Sequence, residues 1–214
     1  MEVRENETGG RTVNVFPGDS LKRVPASHAA LITSDIRWIF ADVPGYFLRM
    51  AESAPVPAMA EWLRRMVAGG DWRLSLHRHK QSKETRAGFA WRSAVMHSAE
   101  IGPPSGKEWP PGPVGEFFTL IGYLDWNGFG QTGTLHPPFP VLDERSDSIQ
   151  DSLRMDLSRA IAWGEFNGDM LIAISPDFGG WITISGSVVP LGTVSDSIEW
   201  VFQSLLDNRS PVLP

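Results

Sequence analysis

The chain has 214 residues, 42% of them hydrophobic and 21% charged, with a net charge of −6 and no cysteine. That balance excludes wholesale disorder, disulfides, thiolate catalysis and cysteine-based zinc sites, and it argues against nonspecific nucleic-acid binding by the whole molecule. The length suits one domain, and a core rich in the nine Trp is expected. Residues 1–22 are polar and read as a loose N-terminal arm with one short strand at Thr12–Phe16, ahead of a single α+β domain over 23–208. Ser34–Met50 is rich in aromatic residues and is broken at Pro44-Gly45, which gives two short elements of undetermined type. Pro57 opens a helix whose Met59, Trp62, Leu63, Met66 and Val67 keep helical spacing up to Gly69-Gly70.

Beyond it, Trp72, Leu74 and Leu76 alternate with Arg73, Ser75 and His77, the pattern of a strand with one wet face. The polar stretch Gln81–Arg86 joins it to the apolar stretch Phe89–Met96 as a hairpin. Residues 102–115 hold five Pro and four Gly and read as a long irregular loop. Phe117–Trp126 reads as a strand ending at the turn pair Asn127-Gly128, and Pro137, Pro138 and Pro140 mark a further loop. Ile149, Leu153, Leu157 and Ile161 recur every four residues, as on a helix facing a core. The final unit reads as three strands (Met170–Ser175, Trp181–Ser185 and Val188–Val194) in a small antiparallel sheet. A helix with the stripe Ile198, Val201, Phe202, Leu205 and Leu206 closes it, with Ser195 or Asp196 as cap and Asp196 and Glu199 at capping-box spacing. Trp200 falls beside that stripe and is expected to be half exposed.

Candidate chemistry is sparse. Gly128-Phe129-Gly130-Gln131-Thr132-Gly133 spells a dinucleotide fingerprint, but Pro137 and Pro138 leave no room for the helix it requires. His77 and His79 share one strand face and could bind a metal if His97 or Glu84 supplied a third ligand; the neighbouring Arg73 and Arg78 disfavour a divalent cation. Glu165 and Asp169 flank Asn167-Gly168, where a turn accounts for them. No nucleophile elbow is present, so no catalytic residue, no metal and no cofactor is expected. The charge layout is the more informative feature. Arg73–Arg92 carries a local excess of five positive charges, leaving −11 on the remainder. Asp143–Asp169 carries a net −4, and its acidic residues Asp143, Glu144, Asp147, Asp151 and Asp156 are the candidate protein-binding residues, suited to a basic partner.

The segments Asn167-Gly168-Asp169-Met170-Leu171-Ile172-Ala173-Ile174-Ser175, Gly180-Trp181-Ile182-Thr183-Ile184 and Val194–Phe202 together resemble the SUKH superfamily, the cell-wall-assembly-regulator-like proteins. The resemblance covers about a fifth of the chain. Val43-Pro44 with Tyr46 and Phe47 echoes that family's N-terminal signature without the Asn-Gly that follows it, and the 102–115 loop is not part of the pattern. The resemblance implies an α+β fold with an antiparallel or mixed sheet and no enzyme activity. It also implies a protein-binding role, such as a bacterial immunity protein that blocks a toxin, often a nuclease. The alternative is a small hydrolase or metal-dependent enzyme built on the His77/His79 face. No run of about 20 apolar residues is present and Met1–Glu7 lacks a signal-peptide core, so a cytoplasmic location without a membrane partner is expected.

Overall fold

A computed structural model describes residues 1–5, 10–70, 72–80, 85–92, 96–100, 112–128, 131–140, 157 and 159–207. The fold is α+β, and its strands form one antiparallel sheet in which every neighbour in space is also the next strand in sequence. In chain order these are β1 (Glu2–Glu5), β2 (Arg11–Val15), β3 (Trp72–Arg78), β4 (Thr85–Arg92), β5 (Met96–Glu100), β6 (Tyr123–Gly128), β7 (Gln131–Pro140), β8 (Ile161–Phe166), β9 (Asp169–Ser175), β10 (Phe178–Ile182) and β11 (Val188–Pro190). Helices α1 (Ala26–Ala29), α2 (Ser34–Ala41), α3 (Val43–Glu52) and α4 (Pro57–Gly69) are inserted between β2 and β3, α5 (Pro113–Ile121) between β5 and β6, and α6 (Val194–Leu206) ends the fold.

Strand alternation sends one set of side chains to the helices. Val13 and Val15, Leu74 and Leu76, Phe89, Leu124, Leu135, Trp163, Leu171 and Trp181 are all buried in the same core as the helix residues. The helices answer with Ile36, Phe47, Trp62, Leu63, Phe117, Ile198, Val201, Phe202 and Leu205. At its centre Phe202 packs edge-on to Trp62 at 5.1 Å and against Phe117 at 5.8 Å. The opposite side chains of β8–β10 form a second, smaller core, in which Leu157 and Ala160 cover Ala162, Met170, Ile172 and Ile182.

Several elements differ from the sequence reading. The strand expected at Thr12–Phe16 is present as β2, with Val13 and Val15 fully buried, but the arm adds β1, which the sequence reading lacks. Both elements of Ser34–Met50 are helices, capped by Thr33 and Asp42. Phe117–Ile121, expected as strand, belongs to α5, which starts inside the supposed loop because Pro113 is suited to a first turn. Residues 102–111 of that loop lie outside the described residues. Pro137, Pro138 and Pro140 lie within β7, where the register jumps between Leu135 and Phe139, the kind of irregularity at which a residue without an N–H is tolerated. Ile161 opens β8 rather than closing a helix; residues 149–156 of that expected helix lie outside the described residues. The last three strands are not a separate small sheet but continue the long one.

The expected C-terminal helix is present with Ile198, Val201, Phe202 and Leu205 buried, and Trp200 is partly buried against Trp181. Its cap is displaced from the expected one. Thr193 is the N-cap; its hydroxyl accepts from Asp196 N at 3.2 Å, while the Asp196 carboxylate accepts from Thr193 N at 2.8 Å. Glu199 instead leaves its own helix and accepts from Ala58 N at 2.8 Å, capping α4, whose own N-cap Val56 offers no side-chain acceptor.

The cap carries a pH signature. The backbone N–H of Thr193, then its hydroxyl, hold the Asp196 carboxyl below its ordinary 3.8. A depressed folded pKa contributes stability that is fully present above the unfolded value and is lost as pH falls through the lower folded one. Asp196→Asn should therefore weaken α6 at neutral pH and flatten the acid limb of its unfolding below pH 3.8, followed by far-UV circular dichroism. An acid limb identical to that of the parent would contradict this role.

Candidate functional site

The sheet has a second face, and from β1 to β8 it is polar. Register places Glu2, Asn14, Ser75 and Gly88 in one row across β1–β4, and Arg4, Thr12, His77 and Arg86 in the next. A third row starts with Arg73 and Ala90 and, beyond β5, continues through Asp125, Thr134 and Glu165. These residues alternate with the core residues Val13, Leu74, Leu76, Phe89, Leu124 and Leu135, so both faces are written in the same strands. Strand spacing makes the face roughly 33 Å wide from β1 to β8, and five residues of strand make it roughly 17 Å deep. The resulting footprint, roughly 550 Å², is of the same order as the ~800 Å² that each partner buries in a stable complex.

The charges on this face are segregated and organised. On the β1–β4 side, Arg4 Nε donates to Glu2 Oε1 at 2.7 Å. The buried Asn14 accepts through Oδ1 from Arg73 Nε and Ser75 Oγ, both at 3.2 Å. Arg4, with help from Asn14 and Arg73, holds the Glu2 carboxyl below its usual range. Thr12 Oγ1 and His77 Nδ1 are 2.9 Å apart. Arg86, beyond the last paired residue of β5, lies 5.5 Å above the Tyr123 ring. On the β6–β8 side, Thr134 Oγ1 donates to Asp125 Oδ1 at 3.2 Å, and Glu165 is exposed. Burial, then the Asp125 charge, push the Tyr123 phenol upward, so it keeps its proton at neutral pH. The β1–β4 side thus carries Arg4, Arg73 and Arg86 with Glu2, and the β6–β8 side carries Asp125 and Glu165.

Asp143, Glu144, Asp147, Asp151 and Asp156 lie outside the described residues, but both ends of their connection are placed. It leaves the sheet at Pro140, the end of β7, and comes back through Leu157 and Ala160, which sit on the polar-face side in the second core. The connection therefore re-enters the sheet at Ile161, opposite Ala173, while Glu165 lies nearer the other end of β8, opposite Met170.

The other candidates are dispersed. His77 is engaged with Thr12 and has Arg86 as its register partner, while His79 lies past the end of β3. Glu84 lies outside the described residues, and His97 is placed only by its register with Trp91 and Trp126. Among the described residues no group of three His, Cys, Asp or Glu is placed to hold a metal. The glycine fingerprint runs through the β6–β7 hairpin, with Gly128 opposite Gln131 and Gly133 opposite Trp126. Asn167 (φ 52°) and Gly168 (φ 92°) make the β8–β9 turn, and Asp169 accepts from Trp181 Nε1 at 3.0 Å and Ile184 N at 2.6 Å. Asp169 thus tethers β10, whereas Glu165 faces solvent. Asn14, Tyr123 and Asp125 escaped the sequence reading; only the pairing of distant strands brings them to the same face as Arg73 and His77.

No protein-family model, curated protein or solved structure matches the chain. Among the described residues no helix is long and apolar enough to cross a membrane.

Proposed function

We propose that the chain is a non-enzymatic protein-binding module, most concretely a cytoplasmic immunity protein that binds and neutralises a bacterial toxin. The observation that supports this reading is the polar face, whose acidic end lies on β6–β8, together with the acidic composition of the 141–156 connection between β7 and β8. A basic protein fits that end, and a nuclease toxin, whose substrate surface must attract phosphates, is basic for a chemical reason. Complementary charge on this scale mainly speeds encounter and selects the partner. The resemblance of the C-terminal unit to SUKH proteins points the same way. The test is co-expression with a basic toxin domain encoded by a neighbouring gene, where the genome carries one. The intact protein should restore growth, and His79→Ala, past the end of β3 and outside the rows of the polar face, should restore it equally. Failure of the intact, expressed protein to protect would remove the immunity reading; loss of protection in the histidine variant would favour the enzyme alternative.

A further inference from the structure

The helix-side face carries a separate feature at the open end of β1–β3. Glu5, Arg11, Ser27, His28, Arg78 and Lys80 line a cleft of about 390 Å³ there. That volume falls within the range of about 300–1,000 Å³ typical of small-molecule sites. Among the described lining residues three cations face one carboxylate, an excess of two positive charges in a chain whose net charge is −6. The one opposing carboxylate is weakly engaged: Glu5 lies 4.0 Å from Arg11, and its side chain is 77% exposed. Lys80 has no ion-pair partner among the described residues.

The cleft wall is fixed from within. His28 is only 1% exposed, with Nε2 3.1 Å from Arg11 O and Nδ1 2.9 Å from Ser27 Oγ. An N–H on Nε2 donates to that carbonyl and leaves Nδ1 to accept the Ser27 hydroxyl. Arg78 Nη1 in turn donates to Ser27 O at 3.0 Å. A buried ring thereby ties α1 to the backbone of β2 at Arg11, and Arg78 ties α1 to β3, so the Arg78 guanidinium is positioned before any ligand arrives.

We propose that this cleft binds a phosphate monoester, with Arg11, Arg78 and Lys80 as its ligands. Two guanidinium forks and an ammonium match phosphate oxygens. The excess of two charges matches a phosphate ester, which carries about −1.5 to −2 at neutral pH, better than a single carboxylate. The site lies on the face opposite the proposed docking surface and does not depend on it.

Calorimetric titration of the full chain with adenosine monophosphate and with inorganic phosphate tests the proposal, alongside acetate at matched ionic strength. Saturable binding of a phosphate compound, without acetate binding, is expected. Lys80→Ala should weaken it about tenfold or more, as expected for a lost charge-assisted contact. Arg86→Ala on the polar face should leave it unchanged. Glu5→Gln should tighten binding, a gain that misfolding cannot produce. Phosphatidylcholine vesicles doped with phosphatidic acid distinguish the source: Lys80-dependent binding to these alone would keep the phosphomonoester site and assign it to a lipid headgroup. No saturable binding in any arm, equal binding of acetate, or binding indifferent to both Lys80→Ala and Glu5→Gln would overturn the site.

Discussion

Phe202→Ala should destabilise the fold by about 3–5 kcal/mol, the range for deleting a buried aromatic ring. Phe202 is fully buried at the meeting point of α4, α5 and α6, in contact with Trp62 and Phe117. Three helices would face the vacated volume at once, and none can close it without leaving the sheet. The helices gather on one side of the sheet, so this contact decides whether they form a single layer. A loss below about 1 kcal/mol in chemical denaturation, the level of ordinary surface substitutions, would mean that α6 does not seat on α4 as described.

Gly179→Ala should be nearly as damaging for the opposite reason. A Cβ at Gly179 would collide with Ser197 Oγ and lie 2.8 Å from Thr193 O, the carbonyl at the start of α6. That carbonyl is fixed by the helix, since Ser197 N donates to it at 3.0 Å. Room can be made only by lifting α6 off β10, so an overpacking cost of about 1–3 kcal/mol or more is expected. Gly69→Ala is the matched control, because a Cβ there meets nothing within 4 Å in a helical backbone. It should be neutral or gain up to about 1 kcal/mol. Equal melting temperatures for the two variants would show that β10 and α6 are not in close contact.

What the sequence disclosed and what it hid follow from locality. The helix Pro57–Gly69 was readable to the residue because Pro57, a helical apolar stripe and Gly70 (φ 65°) are all local signals. The stripe Ile198, Val201, Phe202 and Leu205 was readable for the same reason, although its cap was misplaced because Thr193, Ser195 and Asp196 are all competent acceptors. Helix α5 was misread although Val114, Phe117, Phe118 and Ile121 keep helical spacing; the surrounding Pro and Gly drew the first of these into a loop. The continuity of the sheet was hidden, because β2 pairs with β3 across four intervening helices and nothing local encodes that partner. The candidate face was half legible. Arg73, Ser75 and His77 alternate with core residues and announce a wet strand face, but Asn14, Tyr123 and Asp125 join them only through register.

The most direct test of the proposed docking face is the association rate of the purified chain with its cognate basic toxin domain, measured across a salt series. Glu165→Lys at the acidic end of the face is combined with Asp147→Lys and Asp151→Lys in the acidic connection between β7 and β8. Glu52→Lys, on an exposed position of the helical side, serves as the control. The triple reversal should slow association at low salt by at least about tenfold and flatten its salt dependence, while the control stays within about twofold of the parent. An unchanged on-rate at low salt in a folded triple variant would place the interface elsewhere and contradict the account.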